Sequence, residues 1–349
     1  MAGAVRVALV VPVSGTLGLI GPGAVNCAAL AAQEINEAGG VLGRPVQLVT
    51  VDGGQSAAAV SAEVSALVGR GEVQAVVGVH PSDVRVALAR SLGGAVPYVY
   101  TPPYEGGERT AGVYLAGETP DRQLRPVLRW LAELGRGRRW FLLGNDYVWP
   151  WRVNAAARRY VRAVGGVVVA QRYVTRGALR VQPLLDAVAA TRADAVLVTL
   201  IGRDLVDFNR AFATSGLAGR VLRLCPALEE NGLLGIGGDN TGELYATMGY
   251  FTSVATDATL AFLGRYTDRF GAQAPVPGGH GEGCYDGMCL LAALAARAGS
   301  LATPALDAGA DGVVVDGGRG RMVVRDRHVD APVYLARADA LDLDVVAAF

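Results

Sequence analysis

Residues Ala31-Ala32-Gln33-Glu34-Ile35-Asn36-Glu37-Ala38-Gly39-Gly40-Val41-Leu42-Gly43-Arg44-Pro45-Val46 carry a helix, its stop and the turn into a strand in one short stretch. Gly39-Gly40 provides the left-handed backbone that commonly ends a helix, and Gly43-Arg44-Pro45 turns the chain into an apolar run at 46–51. Working outward, apolar runs at 5–11, 74–77 and 97–100 read as further buried strands, with helical periodicity near 23–38, 55–69 and 82–93. This βαβα rhythm predicts a parallel sheet covered by helices. A second series begins near residue 120. Its strands are expected at 139–143, 166–173, 194–200 and 220–224, and its helices near 122–134, 150–164, 180–190 and 203–214. Helical stretches at 256–269 and 281–298 follow, then strand-like text at 319–324 and 331–337.

A chain of 349 residues exceeds the size at which a single core stops growing. The fold class expected is therefore α/β, with two doubly wound parallel-sheet lobes. Crossings near 119, 251 and 326 would divide it into 1–118 plus 252–325 and 119–251 plus 326–349.

Composition removes several functions. The chain is 51% apolar and 18% charged, and its 32 basic residues balance 32 acidic ones in no long blocks. That distribution gives no footprint for direct nucleic-acid binding. All 32 basic residues are arginine, so chemistry that needs a lysine is excluded. Cys27, Cys225, Cys284 and Cys289 form no C-x-x-C pair, and with His80, His280 and His328 they build no zinc spacing. They read as buried free thiols. The start of the chain lacks a basic region, a signal-length apolar stretch and a cleavage site. No apolar run suggests a membrane span. The expectation is a cytoplasmic protein if this is the whole sequence, and an extracytoplasmic one if a leader has been removed.

Catalysis finds little support. Gly15, Gly18, Gly21 and Gly23 follow the first strand, but their spacing does not fit G-x-G-x-x-G. They read as a permissive loop at a helix N-terminus, whose N–H groups can still face a ligand. The strained G-x-S-x-G elbow is absent. His80 and Ser82 stand two residues apart on a strand-to-helix turn, from which no triad geometry follows. Asp146, Glu229, Glu230 and Glu282 are scattered. No catalytic residue, metal or cofactor is predicted.

Binding finds more. In Gly144 to Asn154, Gly-Asn-Asp-Tyr-Val-Trp-Pro-Trp-Arg-Val-Asn, a strand ends, aromatic residues crowd around Pro150 and a helix begins. Pro150 suits the first helical position, and Asp146 a helix cap. In open α/β sheets ligands bind at such strand ends. Tyr147 and Trp149 offer flat apolar walls with polar tips; alternatively they cap a core. Two other strand ends carry His80-Pro81-Ser82-Asp83 and Tyr100-Thr101-Pro102-Pro103-Tyr104-Glu105. Ser82 either opens a helix as its cap or faces a ligand. Pro102-Pro103 stiffens a loop that can expose a carbonyl. With few charges in the set, the implied ligand is small, neutral and hydrogen-bonding.

These residues resemble the type I periplasmic-binding fold, in its branched-chain amino acid and amide branch. The Ala31 to Val46 stretch is similar to that branch's first helix and turn. Pro102 to Gly106, Gly144 to Asn154, Gly235-Ile236-Gly237 and Tyr245 to Ser253 look closest to urea- and short-chain-amide-binding proteins, including the cytoplasmic amide sensor of amidase operons. The resemblance implies two lobes joined by three crossovers, closing on the ligand by a hinge. It implies that Ser82, Tyr100, Pro103 and Tyr147 line the site, with Ser82 and Tyr147 bonding an amide and the Pro103 carbonyl accepting from its NH2. Trp149 stands where the family has a smaller aromatic, His80 replaces an aromatic and Pro102 a hydroxyl residue. Glu229-Glu230 stands for the family's acidic segment. A non-enzymatic binding protein for a small neutral amide or urea follows, used as a sensor with a regulatory protein or as the receptor of an ABC permease. A second copy of the chain is a further candidate partner. An amide-processing enzyme is the rival from another class.

Overall fold

The computed structural model describes residues 3–349. The first apolar runs form β1 (Val5–Val11), β2 (Val46–Asp52), β3 (Ala75–Gly78), β4 (Tyr98–Tyr100) and β5 (Val113–Leu115). Between them lie α1 (Gly21–Glu37), α2 (Ala57–Gly69) and α3 (Ser82–Leu92). The five strands are parallel in the order β2-β1-β3-β4-β5. Every residue of β3 is buried, as expected of a strand covered by helices on both faces.

The next series repeats this topology. It runs α4 (Pro120–Gln123), α5 (Arg125–Glu133), β6 (Arg139–Asn145), α6 (Val148–Ala163), β7 (Val167–Val174), α7 (Val181–Ala190) and β8 (Ala195–Thr199). It continues with α8 (Gly202–Ala213), β9 (Leu222–Cys225), α9 (Glu230–Ile236) and β10 (Leu244–Met248). Its parallel strands lie in the order β7-β6-β8-β9-β10. α6 is amphipathic: Val153, Ala157 and Val161 are buried, while Arg152, Arg158, Arg159 and Arg162 face outward.

The chain then gives α10 (Asp257–Phe270), α11 (Gly279–Ala298), α12 (Thr303–Gly309), β11 (Val314–Gly317), β12 (Gly320–Arg325) and β13 (His328–Asp330). These strands extend the first sheet beyond β5. The final pair, β14 (Tyr334–Asp339) and β15 (Asp342–Ala348), extends the second sheet antiparallel to β10. Both sheets are therefore mixed at one edge rather than purely parallel. Two compact units result. Unit one takes the chain up to Pro102, then Gly107–Gly117 and Ala255–Ala331; unit two takes Pro103–Gly106, Glu118–Val254 and Pro332–Phe349. The last passage lies beyond 326 because β13 holds residues 328–330 in the first sheet, on β12 and β5.

The helix–turn–strand stretch closes as its residues require. Gly40 has φ +77°, and a Cβ there would overlap the Arg44 carbonyl oxygen, so only glycine fits. Leu42 and Gly43 both have positive φ, and Val41 and Arg44 pair across them. Asn36, in the last turn of α1, clamps the start of β2: its Nδ2 donates to the Val46 carbonyl at 3.0 Å and its Oδ1 accepts from the Val46 amide at 2.6 Å.

Several elements differ from expectation. The stretch read as a loop after β1 is a 3-10 helix, Gly15–Ile20, running directly into α1. Together they make a segment, Gly15–Glu37, apolar and long enough to cross a membrane, contrary to the sequence reading. Half of its most apolar window is buried, and α1 packs on α11 and the sheet. A Cβ at Gly281 of α11 would stand 3.2 Å from Cys27 Sγ and from the Gly23 carbonyl carbon. Small residues thus let the two helices approach, which accounts for the apolar composition. The helix expected at 122–134 is split at Leu124, just before Pro126. Pro150 is the third residue of α6, not the first, because the helix starts at Val148.

Candidate functional site

In each sheet the parallel order reverses direction beside its central strand, between β1 and β3 in unit one and between β6 and β8 in unit two. The carboxyl ends of strands at such a switch point form the ligand crevice of doubly wound sheets.

In unit one, β3 ends at Gly78 and the chain passes through His80 into α3. His80 is buried, its ring 5.0 Å from Tyr100 and stacked at 6.1 Å on Tyr98. Its Nδ1 lies 3.2 Å from the Pro81 carbonyl and its Nε2 lies 3.0 Å from the Tyr98 hydroxyl. Desolvation by burial pushes its pKa down to about 4, so the ring is neutral at physiological pH. Tyr100 donates from its hydroxyl to the His80 carbonyl at 2.8 Å, and the same oxygen lies 3.3 Å from Ser82 Oγ. Ser82 is the first residue of α3 rather than its cap; the cap position belongs to Pro81, which has no side-chain acceptor. Beneath this group Arg85 is buried in an ion pair with Glu108, its guanidinium carbon 5.8 Å from the Tyr100 ring centre. The pair's opposite charges offset one another.

In unit two, β6 ends in Gly144-Asn145. A Cβ on Gly144 would lie 2.5 Å from Thr199 Oγ1 and 2.6 Å from Pro150 Cβ. Glycine here lets the start of α6 settle onto β6 and β8. Asn145 ties the two strand ends together: its Oδ1 accepts from the Ile201 amide at 2.9 Å, while its Nδ2 donates to Asp204 at 2.7 Å. The same Asp204 oxygen accepts from the Gly177 amide at 2.8 Å. Tyr147 occupies the cap position of α6 with extended backbone, so Asp146 is not the cap. Asp146 instead accepts from Trp151 Nε1 at 2.9 Å. The Tyr147 ring lies 6.5 Å from that of Trp149, and the Arg176 guanidinium sits 5.1 Å over it.

Glu229, at the carboxyl end of β9, is fully buried and caps α9, accepting from the Gly232 amide at 3.2 Å and from Asn231 Nδ2 at 2.9 Å. Burial, reinforced by the adjacent Glu230 charge, raises its pKa well above the usual carboxylate range. A raised folded-state pKa means that the native protein binds the extra proton. Its contribution is full below the unfolded pKa and is lost as pH rises through the folded one. Wild type is therefore expected to lose stability relative to Glu229→Gln between about pH 5 and about pH 8. His80 has the opposite sign, being lost as pH falls from 6.5 toward about 4, and it cancels in that comparison. Parallel pH profiles of the two proteins in urea unfolding would show that Glu229 is ionised in the fold.

The expected site residues thus form two groups. His80, Ser82 and Tyr100 touch one another in unit one, with Pro102 at the end of that segment; Tyr147 and Trp149 stand together in unit two. Pro103 and Tyr104 are buried and belong to unit two, where the Tyr104 amide donates to the Glu118 carbonyl at 2.9 Å. Tyr98, Arg85, Asn145 and Asp204 were missed. Tyr98 sits inside a strand that reads only as core, and Asn145 stands in Gly-Asn-Asp, a combination that signals a turn. Cys27, Cys225 and Cys284 are buried thiols, and Cys289 is half-buried. Among the described residues no cluster of potential metal ligands occurs.

A family model described as periplasmic binding protein matches residues 4–342. The chain belongs to the periplasmic binding protein family. Solved structures share the fold at low identity. One is an ABC-transporter solute-binding protein of Rhodopseudomonas palustris in complex with p-hydroxybenzoic acid: 21% identity, TM-score 0.86, covering 99% of this chain and 97% of that one. A periplasmic binding protein of Burkholderia mallei has 17% identity and TM-score 0.86, with coverage of 100% and 95%. The branched-chain amino acid transporter substrate-binding protein of Streptococcus pneumoniae, in complex with isoleucine, has 19% identity and TM-score 0.79, with coverage of 99% and 98%. The type I fold is thereby established, with two α/β lobes carrying mostly parallel sheets.

Proposed function

We propose that this chain is a non-enzymatic binding protein that captures a small neutral hydrogen-bonding solute of the amide or urea class and delivers it to an ABC permease outside the cytoplasm. The observation that carries the reading is the pair of aromatic–hydroxyl groups at the two switch points, Ser82–Tyr100–His80 and Tyr147–Trp149. In unit one the buried Arg85 is paired with Glu108, and Asp83, half-buried in the first turn of α3, is the other charge acting on His80. The groups of the cluster itself are hydroxyls and rings, the kind of surface suited to a neutral polar ligand. Family membership supports binding rather than catalysis, and the transporter receptors among the fold's neighbours favour the permease over the sensor use.

A solute that binds one conformation better than another would shift the population toward it through that differential contact alone. A thermal-shift series with urea, acetamide, propionamide, isoleucine and 4-hydroxybenzoate tests the reading. A ligand at about 100 times its Kd stabilises the native state by about 2.7 kcal/mol. Tyr147→Phe should weaken the solute found by about 1–3 kcal/mol, the cost of an unmade buried hydrogen bond. Unchanged affinity in calorimetry would remove Tyr147 from the site. Release of ammonia from any of the amides would replace binding with hydrolysis.

A further inference from the structure

Surface arginines on the helices of unit two come in two kinds. Arg125 and Arg129 of α5 and Arg203 of α8 each have an acid one turn away, in Asp121, Glu133 and Asp207. For α6 the sequence offers none, because from Tyr147 to Leu185 the chain carries seven arginines and no acidic residue. Arg158 and Arg162 of α6 are exposed, stand one turn apart and enter no ion pair among the described residues. Like charges at that spacing destabilise a helix, so these two can be matched only by an anion from outside the chain.

Arg158 and Arg162 fall within about 20° of Trp151 round the helix, and the row they form with it spans about 16 Å. It runs beside β7, the edge strand of the second sheet. The Trp151 ring stands edge-on at 6.4 Å from Tyr173 near the end of β7, and it is 49% exposed. Asp146, bonded to the indole at 2.9 Å, is the acid beside this end of the row. At the other end a recess of about 130 Å³ is lined by Arg158, Arg162, Gly166, Val167 and Val168. Val167 is also 49% exposed, and its amide donates to the carbonyl of the exposed Arg138 at 2.8 Å. A third guanidinium side chain therefore starts next to the recess.

We infer that this side of unit two docks on a membrane surface rich in anionic phospholipid, with a headgroup phosphate in the recess between Arg158 and Arg162. Guanidinium forks match phosphate oxygens in pairs. An exposed indole and valine beside them suit the boundary between headgroups and acyl chains, whereas a hydrated polyanion would leave both in water. The inference goes beyond the solute reading and holds whichever solute is bound.

The full chain, without solute, is sedimented with vesicles of equal parts phosphatidylcholine and phosphatidylglycerol. It is expected to bind these, to ignore pure phosphatidylcholine and to be released by rising sodium chloride. Arg158→Gln with Arg162→Gln should weaken the partition about twentyfold, at about fivefold for each arginine. Arg70→Gln with Arg90→Gln removes the same charge from unit one and should leave it nearly unchanged. Equal losses in the two pairs would show attraction by net charge alone and overturn the inference. Brominated phosphatidylglycerol should quench tryptophan fluorescence in wild type and no longer in Trp151→Phe; quenching that persists places another face against the lipid and also overturns it. So does tighter binding to duplex DNA than to the vesicles in the same salt, or stabilisation by inorganic phosphate without any vesicle binding. Failure of every one of these leaves the solute reading standing, and failure of every solute to bind leaves the vesicle result unaffected.

Discussion

Asp239→Ala is expected to lower the protein's stability by about 3–5 kcal/mol, because it strands a buried guanidinium. Arg223 in β9 and Asp239 are fully buried, and Arg223 Nη2 meets Asp239 Oδ2 at 2.8 Å. The arginine also donates to Thr241 Oγ1 at 2.8 Å and Asn209 Oδ1 at 3.2 Å, with the Phe212 ring 4.7 Å from its guanidinium carbon. Asp239 in turn accepts from the Thr241 amide at 3.0 Å and from its hydroxyl at 2.6 Å. Removing the carboxylate leaves a positive charge in a low-dielectric interior that these neutral dipoles only partly solvate. For a unit of this size the loss corresponds to roughly 6–20 °C in Tm. The pair itself need not be strongly stabilising: replacing both residues, as in Arg223→Met with Asp239→Leu, should restore most of the loss. Urea unfolding of the single and double variants checks both parts. A single variant within about 1 kcal/mol of wild type would mean that water reaches Arg223.

Trp149→Ala should cost a similar amount, about 3–5 kcal/mol, because the indole is only 3% exposed. The ring lies in the first turn of α6, beside Tyr147 and just before Pro150, where glycine at 144 has brought the helix down onto the sheet. Trp149→Phe keeps an aromatic wall and removes volume, so its stability loss should be clearly smaller. Under the binding proposal the phenylalanine variant should also shift preference toward larger amides, since it enlarges the space beside Tyr147. Equal losses for Ala and Phe in urea unfolding would show that shape complementarity, rather than burial of an aromatic face, holds this turn. An alanine variant as stable as wild type would show that the indole is not core.

Alternating apolar runs and glycine stops were enough to read most central strands and helices. β1 and α7 fall within a residue of expectation, because buried strands and amphipathic helices write their period directly into the chain. The elements that escaped are short or lie at sheet edges. β5, β11 and β13 each span only three or four residues, too few to display a period. β10 is buried along its whole length and shows no alternation, while β15 alternates plainly but lies at an edge in a charged tail. Candidate ligand residues at strand ends were legible because topology places strand ends at the crevice. Their roles within that place were not. Ser82 and Asp146 both carry good capping side chains, yet neither caps a helix, since Pro81 and Tyr147 occupy those positions.

The sequence by itself determined the α/β class and the repeat of the doubly wound pattern, because these follow from local periodicity and from turns such as Gly39-Gly40 that work without distant partners; it also determined the family, whose model matches residues 4–342. Only the tertiary structure decided which polar groups meet. Asn145 with Asp204, Arg223 with Asp239, Tyr98 with His80 and Tyr100 with Ser82 are separated along the chain and come together through sheet order. The direction of a hydrogen bond depends on every partner its two atoms already have. The hydrogen bonds that join His80 to Tyr98 and Tyr100 therefore belong to the folded cluster and to no residue in it alone.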